Sequence, residues 1–357
     1  MTAPPCDVSL ITGGAGFIGA NLAARLLARG GRVRLLDNLS RPGVERNLAW
    51  LQSAYGANVD VMIGDVRDAA SVRQALSGVR QVYHLAAQVA VTTSLTDPLH
   101  DFDVNARGTL VLLEALRAAP VRPSLLFTST NKVYGALEDV ALRRRGTRYE
   151  PENEDLAARG VSEARPLEFH SPYGCSKGTA DQYVLDYART FGLSAVVLRM
   201  SCIYGPRQFG NEDQGWVAHF LIKATRGETL KLYGDGRQVR DILFVDDLLD
   251  AFETAMAKIQ DVSGRAFNIG GGPANTVSLV DLLARIEALL GRRVSVAFEP
   301  WRVADQRYYV SDCRAFSART RWAPRVGVEA GLERLARWVE QIPAPLESAP
   351  PQPEARP

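Results

Sequence analysis

Short apolar segments alternate with amphipathic stretches through roughly the first two hundred residues of the chain. Apolar runs of this length predict buried parallel strands, and the stretches between them have the apolar spacing of helices. The predicted strands are Val8–Ile11, Arg32–Leu36, Val59–Ile63, Gln81–Leu85, Ser124–Thr128 and Ser194–Arg199. This alternation predicts an α/β protein with a doubly wound parallel sheet, which binds ligands at the carboxyl ends of its strands.

The alternation ends near residue 200, where loops rich in Gly, Arg and Asp follow one another. We expect residues 1–200 to form one domain, to which residues 241–266 return. Residues 201–240 and 267–342 are expected to form a smaller α/β lobe that binds the substrate. Residues 343–357 are rich in Pro, Ala and Glu, which predicts a disordered tail.

Two segments are expected to border the ligand site. A long helix is predicted from about Asp97 to Ala118, and its Asn105 should either brace the site through a bridging water or face solvent. Residues 136–170 are charged and irregular, so we expect them to form a flap over the site. Within them, Arg143–Arg145 is expected to be a solvated loop.

A glycine motif joins the first predicted strand to the first predicted helix. Gly13, Gly16 and Gly19 have the spacing of a dinucleotide-binding turn, in which the backbone approaches a pyrophosphate at a helix N-terminus. The second strand ends at Asp37, where a carboxylate accepts hydrogen bonds from the adenosine ribose and repels a 2′-phosphate. The sequence therefore predicts a Rossmann-type domain that binds NAD rather than NADP, a preference that the nearby Arg41 could weaken.

Composition and charge limit the classes of function. The chain has 357 residues, 46% of them hydrophobic, and a formal net charge of +2, which argues against a nucleic-acid or membrane partner. The scattered cysteines lack metal-ligand spacing, so we expect no metal site and a reducing, cytoplasmic compartment. They are Cys6, Cys175, Cys202 and Cys313. We find neither a signal-peptide pattern at the start nor an apolar run long enough to span a membrane.

Tyr173 and Lys177 are the candidate catalytic pair. Four residues apart on a predicted helix, their side chains share one face. A neighbouring ammonium favours the phenolate, so we expect a pKa for Tyr173 well below its ordinary value of about 10. The phenolate could then accept a proton from a substrate hydroxyl. Thr130, which follows the fifth strand, is expected to position the reacting oxygen.

Three other polar residues near strand ends are interpreted less specifically. Asp65 could accept a hydrogen bond from the adenine amino group. Asp68 could instead cap a helix that begins near Ala69. His84 is expected to be a buried, hydrogen-bonded histidine without a catalytic role.

These motifs resemble the extended short-chain dehydrogenase/reductases that act on nucleotide sugars, over about Val8 to Trp338. The resemblance implies NAD as cofactor, a nucleotide-diphosphate sugar as substrate and a homodimer or homotetramer. It implies catalysis by Thr130, Tyr173 and Lys177. The implied cofactor contacts are Gly13, Gly16, Phe17, Ile18, Gly19, Asp37, Asn38, Ser40, Arg41, Asp65, Val66, Leu85, Ala86, Ala87, Gln88, Asn105, Ser129, Tyr173, Lys177, Met200 and Ile203. The implied substrate contacts are Gln88, Thr130, Asn131, Lys132, Arg207, Gln208, Gln214, Val217, Arg240 and Arg302, of which the last two match positions that grip the diphosphate.

The residues after Thr130 narrow the implied reaction. Dehydratases of this family carry Asp-Glu there, whereas this chain has Asn131–Lys132. Its loops, including Arg207–Phe209, resemble the branch that inverts C2 of a CDP-linked sugar. The resemblance implies that Tyr173 removes the C2 hydroxyl proton while a hydride passes to NAD⁺, and that the hydride returns to the other face of a 2-keto sugar. A 4-epimerase of a UDP- or CDP-hexose and a catalytically inactive NAD-binding scaffold are the alternative interpretations.

Overall fold

The computed structural model describes residues 8–302 and 305–342. Its strands are β1 (Val8–Thr12), β2 (Arg32–Asp37), β3 (Val59–Ile63), β4 (Val79–His84), β5 (Ser124–Thr130), β6 (Leu142–Arg145), β7 (Arg148–Pro151), β8 (Ala195–Met200), β9 (Cys202–Tyr204), β10 (Leu230–Tyr233), β11 (Val239–Phe244), β12 (Arg265–Ile269), β13 (Thr276–Ser278), β14 (Val296–Glu299) and β15 (Tyr308–Tyr309). Its helices are α1 (Phe17–Ala28), α2 (Val44–Tyr55), α3 (Ala69–Ala75), α4 (Val91–Thr96), α5 (Pro98–Phe102), α6 (Gly108–Ala118), α7 (Glu154–Arg159), α8 (Ser171–Phe191), α9 (Trp216–Arg226), α10 (Val245–Ala257), α11 (Ile259–Val262), α12 (Leu279–Leu290), α13 (Arg314–Thr320) and α14 (Val328–Val339).

A seven-stranded sheet forms the larger unit, in the order β12-β8-β5-β4-β1-β2-β3. All its neighbouring strands are parallel. Together with the flanking helices, this confirms the predicted doubly wound α/β fold. The strand order runs outward in opposite directions from β1 and β4, so the crevice beyond their carboxyl ends is the expected ligand site.

His84 lies at this central point, at the end of β4. Its Nδ1 is 2.6 Å from Thr12 Oγ1 and its Nε2 is 3.0 Å from Thr109 Oγ1. Burial lowers the pKa of the imidazole to about 3, so the ring is neutral near pH 7. The prediction of a buried, hydrogen-bonded histidine is confirmed, and the ring links β1, β4 and α6.

The second lobe is built around β11, which pairs with β13, β15 and β9. A separate parallel pair, β10 and β14, completes its strands. Residues 241–244 therefore stay in this lobe, although we expected them to return to the first domain. The helix α10 does return, and β12 extends the main sheet to Ile269, past the expected limit at 266. The predicted tail 343–357 and Cys6 lie outside the described residues.

The segment 136–170 is not a flap over the central crevice. It contains the β6–β7 hairpin and α7, and it docks on the second lobe, where the backbone N–H of Val161 donates to the carbonyl of Val310 at 2.7 Å. Val161 and Leu137 are buried in a small core with Tyr309. The run Arg143–Arg145 is an exposed strand of the hairpin rather than a loop. The prediction of a flap was wrong because it relied on the high charge of the segment. A few apolar residues are enough to anchor such a segment on the second lobe.

The helix predicted from Asp97 to Ala118 is present as α5 and α6, joined by a turn of π-helix at Asp103–Arg107. The π turn carries Asn105, which is buried and does not face solvent. Its Oδ1 accepts from the Gln88 backbone N–H at 2.9 Å, and its Nδ2 donates to the Gln88 carbonyl at 3.0 Å. Asn105 therefore braces the loop after β4 by direct contact rather than through a water.

Candidate active site

A cavity of about 660 Å³ opens beyond the carboxyl ends of the main strands, between the main sheet and the second lobe. Many residues that the sequence assigned to cofactor, chemistry and substrate line it together. They are Gly13, Gly16, Phe17, Ile18, Gly19, Arg41, Leu85, Ala87, Thr130, Asn131, Lys132, Tyr173, Lys177, Met200, Ile203, Gln208, Gln214, Val217, Arg240 and Arg302. The structure thus brings three separately predicted groups of residues to one cavity.

The glycine turn is sterically locked between β1 and α1. Gly13 has a φ of +69°, and a Cβ there would lie 2.8 Å from the backbone nitrogen of Ala86. A Cβ on Gly19 would lie 2.7 Å from Gly14 Cα. The helix begins after Gly16, and no described side chain caps it. Its first backbone N–H groups can therefore bind phosphate oxygens, which fits the pyrophosphate of a dinucleotide.

Asp37 retains capacity to bind a ribose. Its Oδ2 accepts from the Ala15 backbone N–H and its Oδ1 from that of Leu39, both at 2.9 Å. A carboxylate offers about four acceptor positions, so about two are left for ribose hydroxyls. Nearby, Arg41 donates to the side-chain oxygen of Gln214, which ties the first domain to the second lobe across the cavity.

Asp65 is more fully engaged within the protein. Its two oxygens accept from the backbone N–H and guanidinium of Arg67, and one accepts from Asn38 Nδ2 at 2.9 Å. The hydrogen bonds from Arg67 hold the pKa of this carboxyl well below its usual range. An adenine amino group would have to compete with these donors. Asp68 caps α3 by accepting from the N–H groups of Ala70 and Ser71, which confirms its interpretation as a cap.

Tyr173 and Lys177 lie on one face of α8 and both line the cavity. The Lys177 ammonium donates to the Thr128 carbonyl at 2.6 Å and lies 4.2 Å from the centre of the Phe127 ring. Burial lowers the pKa of Lys177 to about 7. Burial also raises the pKa of Tyr173 to about 12, against a hydrogen bond with Thr130 and the charge of Arg41. The protein's own groups thus move the phenol in the direction opposite to our expectation, because desolvation exceeds the effect of the cations.

Thr130, Asn131 and Lys132 form a polar floor at the end of β5. The Thr130 hydroxyl accepts from the Lys132 backbone N–H at 3.2 Å. Asn131 Nδ2 and Lys132 Nζ both donate to Gln306 Oε1, at 3.1 and 3.3 Å. Burial, followed by the charge of Arg240, lowers the pKa of Lys132 to about 8. The two residues that follow Thr130 therefore present an amide and an amine, and neither is a carboxylic acid, as expected from the sequence.

The predicted arginines differ in their placement. Arg240 is 6% exposed and donates to Asp305 at 2.7 Å in the cavity wall. The Arg302 guanidinium lies 3.9 Å from the centre of the Tyr233 ring, also in the wall. Arg207 does not line the cavity, because its guanidinium stacks on Trp50, 3.8 Å from the ring centre. That partner is distant in sequence, so the motif alone could not reveal it.

Ten of the predicted contacts do not line the cavity. They are Asp37, Asn38, Ser40, Asp65, Val66, Ala86, Gln88, Asn105, Ser129 and Arg207. The side chain of Gln88, for example, hydrogen-bonds to the backbone of Ala90 and to the carboxylate of Asp101. The cavity also contains residues that the prediction missed, notably Tyr233, Gln238 and Asp305. The first two belong to the loop segment around Gly-Asp-Gly, whose composition was a usable signal.

Gln208 and Gln238 each place a buried side-chain acceptor in the cavity wall. Each donates its Nε2 to a backbone carbonyl, of Ile203 at 3.2 Å and of Tyr233 at 2.7 Å. The Oε1 atom of each is buried without a hydrogen-bond partner among the described residues. Buried acceptors of this kind in a cavity wall fit a ligand that carries hydrogen-bond donors. Over the described ranges, no group of three metal-ligating side chains occurs and no helix could cross a membrane.

The fold and site place the chain in a known class of enzymes. The NAD dependent epimerase/dehydratase family matches residues 9–270, and the chain belongs to it. It is an enzyme that uses NAD, which confirms the predicted cofactor.

Individual relatives share most of their length with this chain. CDP-paratose 2-epimerase of Salmonella typhi is 41% identical over 340 residues, which cover 93% of this chain and 99% of the relative. UDP-glucose 4-epimerase of Thermotoga maritima, solved with UDP-glucose, has a TM-score of 0.80 at 30% identity, over 94% of this chain and 99% of that one. UDP-glucose 4-epimerase of Thermus thermophilus, solved with NAD, has a TM-score of 0.78 at 31% identity, over 93% and 99%.

Proposed function

We propose that this enzyme is a nucleotide-sugar epimerase that inverts C2 of a CDP-linked sugar, interconverting CDP-paratose and CDP-tyvelose. The observation that carries the epimerase assignment is the convergence of Thr130, Tyr173 and Lys177 on the cavity that contains the glycine turn. The assignment to C2 and to CDP is supported by the relative that is 41% identical over nearly the whole chain.

Three parts of the site are proposed to hold the cofactor. The first turn of α1 would bind the pyrophosphate, Asp37 the adenosine ribose and Lys177 the nicotinamide ribose. When bound, NAD⁺ would supply a positive charge and a reversible hydride acceptor beside the sugar. No external oxidant or reductant is needed for inversion.

The protein's task is to move one proton and to orient the sugar. Thr130 hydrogen-bonds the C2 oxygen and fixes its position beside the phenol. The Tyr173 phenolate accepts the hydroxyl proton as the C2–O bond becomes a carbonyl, and it returns that proton when the alcohol is restored. Inversion requires the 2-keto sugar to present its other face, so the second lobe must hold the nucleotide while the ring turns.

The polar floor favours epimerisation over dehydration. Water loss needs an acid and a base beside the sugar, in addition to the tyrosine. Asn131 carries no exchangeable acid, and Lys132 is engaged with Gln306 beside Arg240. The pair thus differs from the Asp-Glu of the dehydratases, which favours reduction of the oxidised sugar over loss of water.

We expect Arg240→Ala to weaken substrate binding more than turnover. The guanidinium would bind the diphosphate, whose charge is the same in the ground and transition states. KM should rise by about tenfold or more with kcat within about threefold, because the lost contact is uniform. Steady-state kinetics measures both values.

Arg237→Ala is the matched control for that variant. Arg237 lies just before β11, the strand that carries Arg240; it is 39% exposed and pairs with Asp235 outside the cavity wall. It should leave KM unchanged. An unchanged KM in Arg240→Ala would contradict the assignment of the diphosphate to this residue.

A panel of CDP-, UDP-, GDP- and dTDP-sugars tests the proposed function. NMR of the products should show inversion at C2 of a CDP-sugar and no dehydration. Inversion at C4 of a hexose would replace the proposal with a 4-epimerase. Absence of turnover on every member would favour an NAD-binding scaffold. The expected homodimer or homotetramer remains a prediction for measurement in solution.

A further inference from the structure

A fully buried carboxylate lies beneath the catalytic helix. Asp101, on α5, is 0% exposed. The Ser176 hydroxyl donates to one of its oxygens. Gln88 Nε2 at 3.0 Å and Asn105 Nδ2 at 3.2 Å donate to the other. Ser176 lies between the two proposed catalytic residues on α8, so Asp101 contacts the turn of helix that carries them.

The groups that donate hydrogen bonds to Asp101 are all neutral, so none of them compensates its negative charge. Burial of a carboxylate is costly, and burial raises the pKa of Asp101 while Ser176 and the charge of Lys177 lower it. A neutral Asn could still accept from Gln88 and Asn105, and it could replace the bond from Ser176 by one that it donates. The proposed mechanism gives the carboxylate no chemical step, so its charge calls for a separate account.

The other charges around the pair are mostly compensated. Asp181 lies one turn beyond Lys177 on α8, but it is locked to Arg199 by two hydrogen bonds of 2.9 Å. His84 faces Lys177 from β4 and is neutral at pH 7. Other titratable or charged groups on the neighbouring elements include Arg41 after β2, Lys132 after β5, His100 on α5, Asp103 and Arg107 on the π turn, and the exposed pair Glu114 and Arg117 on α6.

We propose that Asp101 is a positioning residue whose buried negative charge holds Lys177 as an ammonium, while its bond to Ser176 fixes the helix turn that carries Tyr173. The inference rests on the proposed roles of Tyr173 and Lys177 in proton transfer. The charge acts on both members of the pair: it adds to that of Asp181 in raising the pKa of Lys177 against burial, and it raises the pKa of Tyr173. Asp101 thereby sets the pH range in which the pair works, without touching the substrate.

Asp101→Asn separates this electrostatic role from a structural one. In the variant, Oδ1 can still accept from Gln88 and Asn105. The new Nδ2 can donate to Ser176, whose hydroxyl remains free to donate to the Tyr173 carbonyl, now 3.2 Å away. The hydrogen bonds are thus retained while the charge is removed.

The expected result is a displaced pH profile. Loss of the anion makes the ammonium easier to deprotonate and the phenol easier to ionise, so both pKa values fall. Because the two limbs of the kcat/KM profile belong to the coupled pair, both should move to lower pH, by about half a unit or more. A merely structural role would lower kcat/KM at every pH without moving either limb, and that result would overturn the inference.

Asp103→Asn is the matched control, since its carboxylate is 43% exposed and pairs with Arg107 at 3.9 Å. It should leave both limbs in place. Asp101→Ala removes the same charge and must give the same direction of shift, which keeps the inference testable if the Asn variant does not fold.

A second readout needs no substrate. The Tyr173 phenol is titrated by ultraviolet absorbance, as the difference between the absorbance of the protein and that of its Tyr173→Phe variant. The same difference is measured for the pair of proteins that also carry Asp101→Asn. The titration should move to lower pH when Asp101 is neutralised. An unmoved titration refutes the inference even if the enzyme acts on other substrates. A lack of turnover in the unmutated enzyme would instead refute the proposed function and leave this measurement to decide the role of Asp101.

Discussion

Tyr173→Phe lowers kcat by about 10²–10⁴-fold if the phenol is the general acid–base, which is the usual contribution of such a group. Phe keeps the ring in its buried position and removes only the hydroxyl. The backbone N–H of residue 173 can still donate to Ser94 Oγ, now at 3.2 Å. NAD binding, measured by calorimetry, should therefore be unchanged while turnover, measured by NMR, is nearly lost.

Tyr183→Phe provides the control for this loss. Tyr183 lies on the same helix but is 42% exposed and outside the cavity lining. It should retain full activity. More than a tenth of the original kcat in Tyr173→Phe would show that another group transfers the proton.

Lys177→Met is the second change with a large expected effect. Met is unbranched and apolar, so it fits the buried site and removes the ammonium and its bond to Thr128. The phenolate and the developing charge on the sugar oxygen lose a cation of the same helix face, so kcat should fall by about a hundredfold or more. NAD should still bind through the glycine turn.

The same variant has a signature in stability. Lys177 has a pKa of about 7 in the folded protein, against an ordinary value of 10.5. Between these values the unfolded chain binds the proton more readily, so this residue makes stability rise with pH across that window. Lys177→Met should flatten the rise in thermal unfolding measured without NAD, whereas Lys223→Met, in a partly exposed pair with Glu228, should not. A wild-type kcat in Lys177→Met, or an unchanged dependence of its thermal stability on pH, would contradict the role proposed for Lys177.

The predicted residues that line the cavity share a local cause. Gly13 and Gly19 need the conformation or clearance of a tight turn, so their spacing predicts the turn wherever it occurs. Tyr173 and Lys177 share a helix face because four residues separate them. The alternation of strands and helices predicted that the cavity lies at the carboxyl ends of the parallel strands.

The failures have a different origin, because they depend on contacts between distant segments. Arg207 stacks on Trp50 instead of lining the cavity, although its motif pointed into the site. The segment 136–170 is polar along its length, yet a few buried residues dock it on the second lobe. Asp101 looked like any acidic residue in a helix until the fold placed it under α8.

The raised pKa of Tyr173 has the same origin. Spacing shows which cation is near, but it does not show how much solvent the fold removes. With the protein's own groups alone, the pKa of the Tyr173 phenol is about 12. Its ionisation therefore depends on additional positive charge in the closed site. We therefore regard proton transfer as conditional on the bound cofactor.

The central claim is that the sugar is oxidised and reduced at the same carbon without leaving the enzyme. A substrate that carries deuterium at the inverted carbon tests it directly, with the enzyme turning over in ordinary water and the product analysed by NMR. The account predicts that the inverted product retains its deuterium at that carbon. Replacement of the deuterium by solvent hydrogen would contradict it, because the carbon would then have exchanged a proton with water.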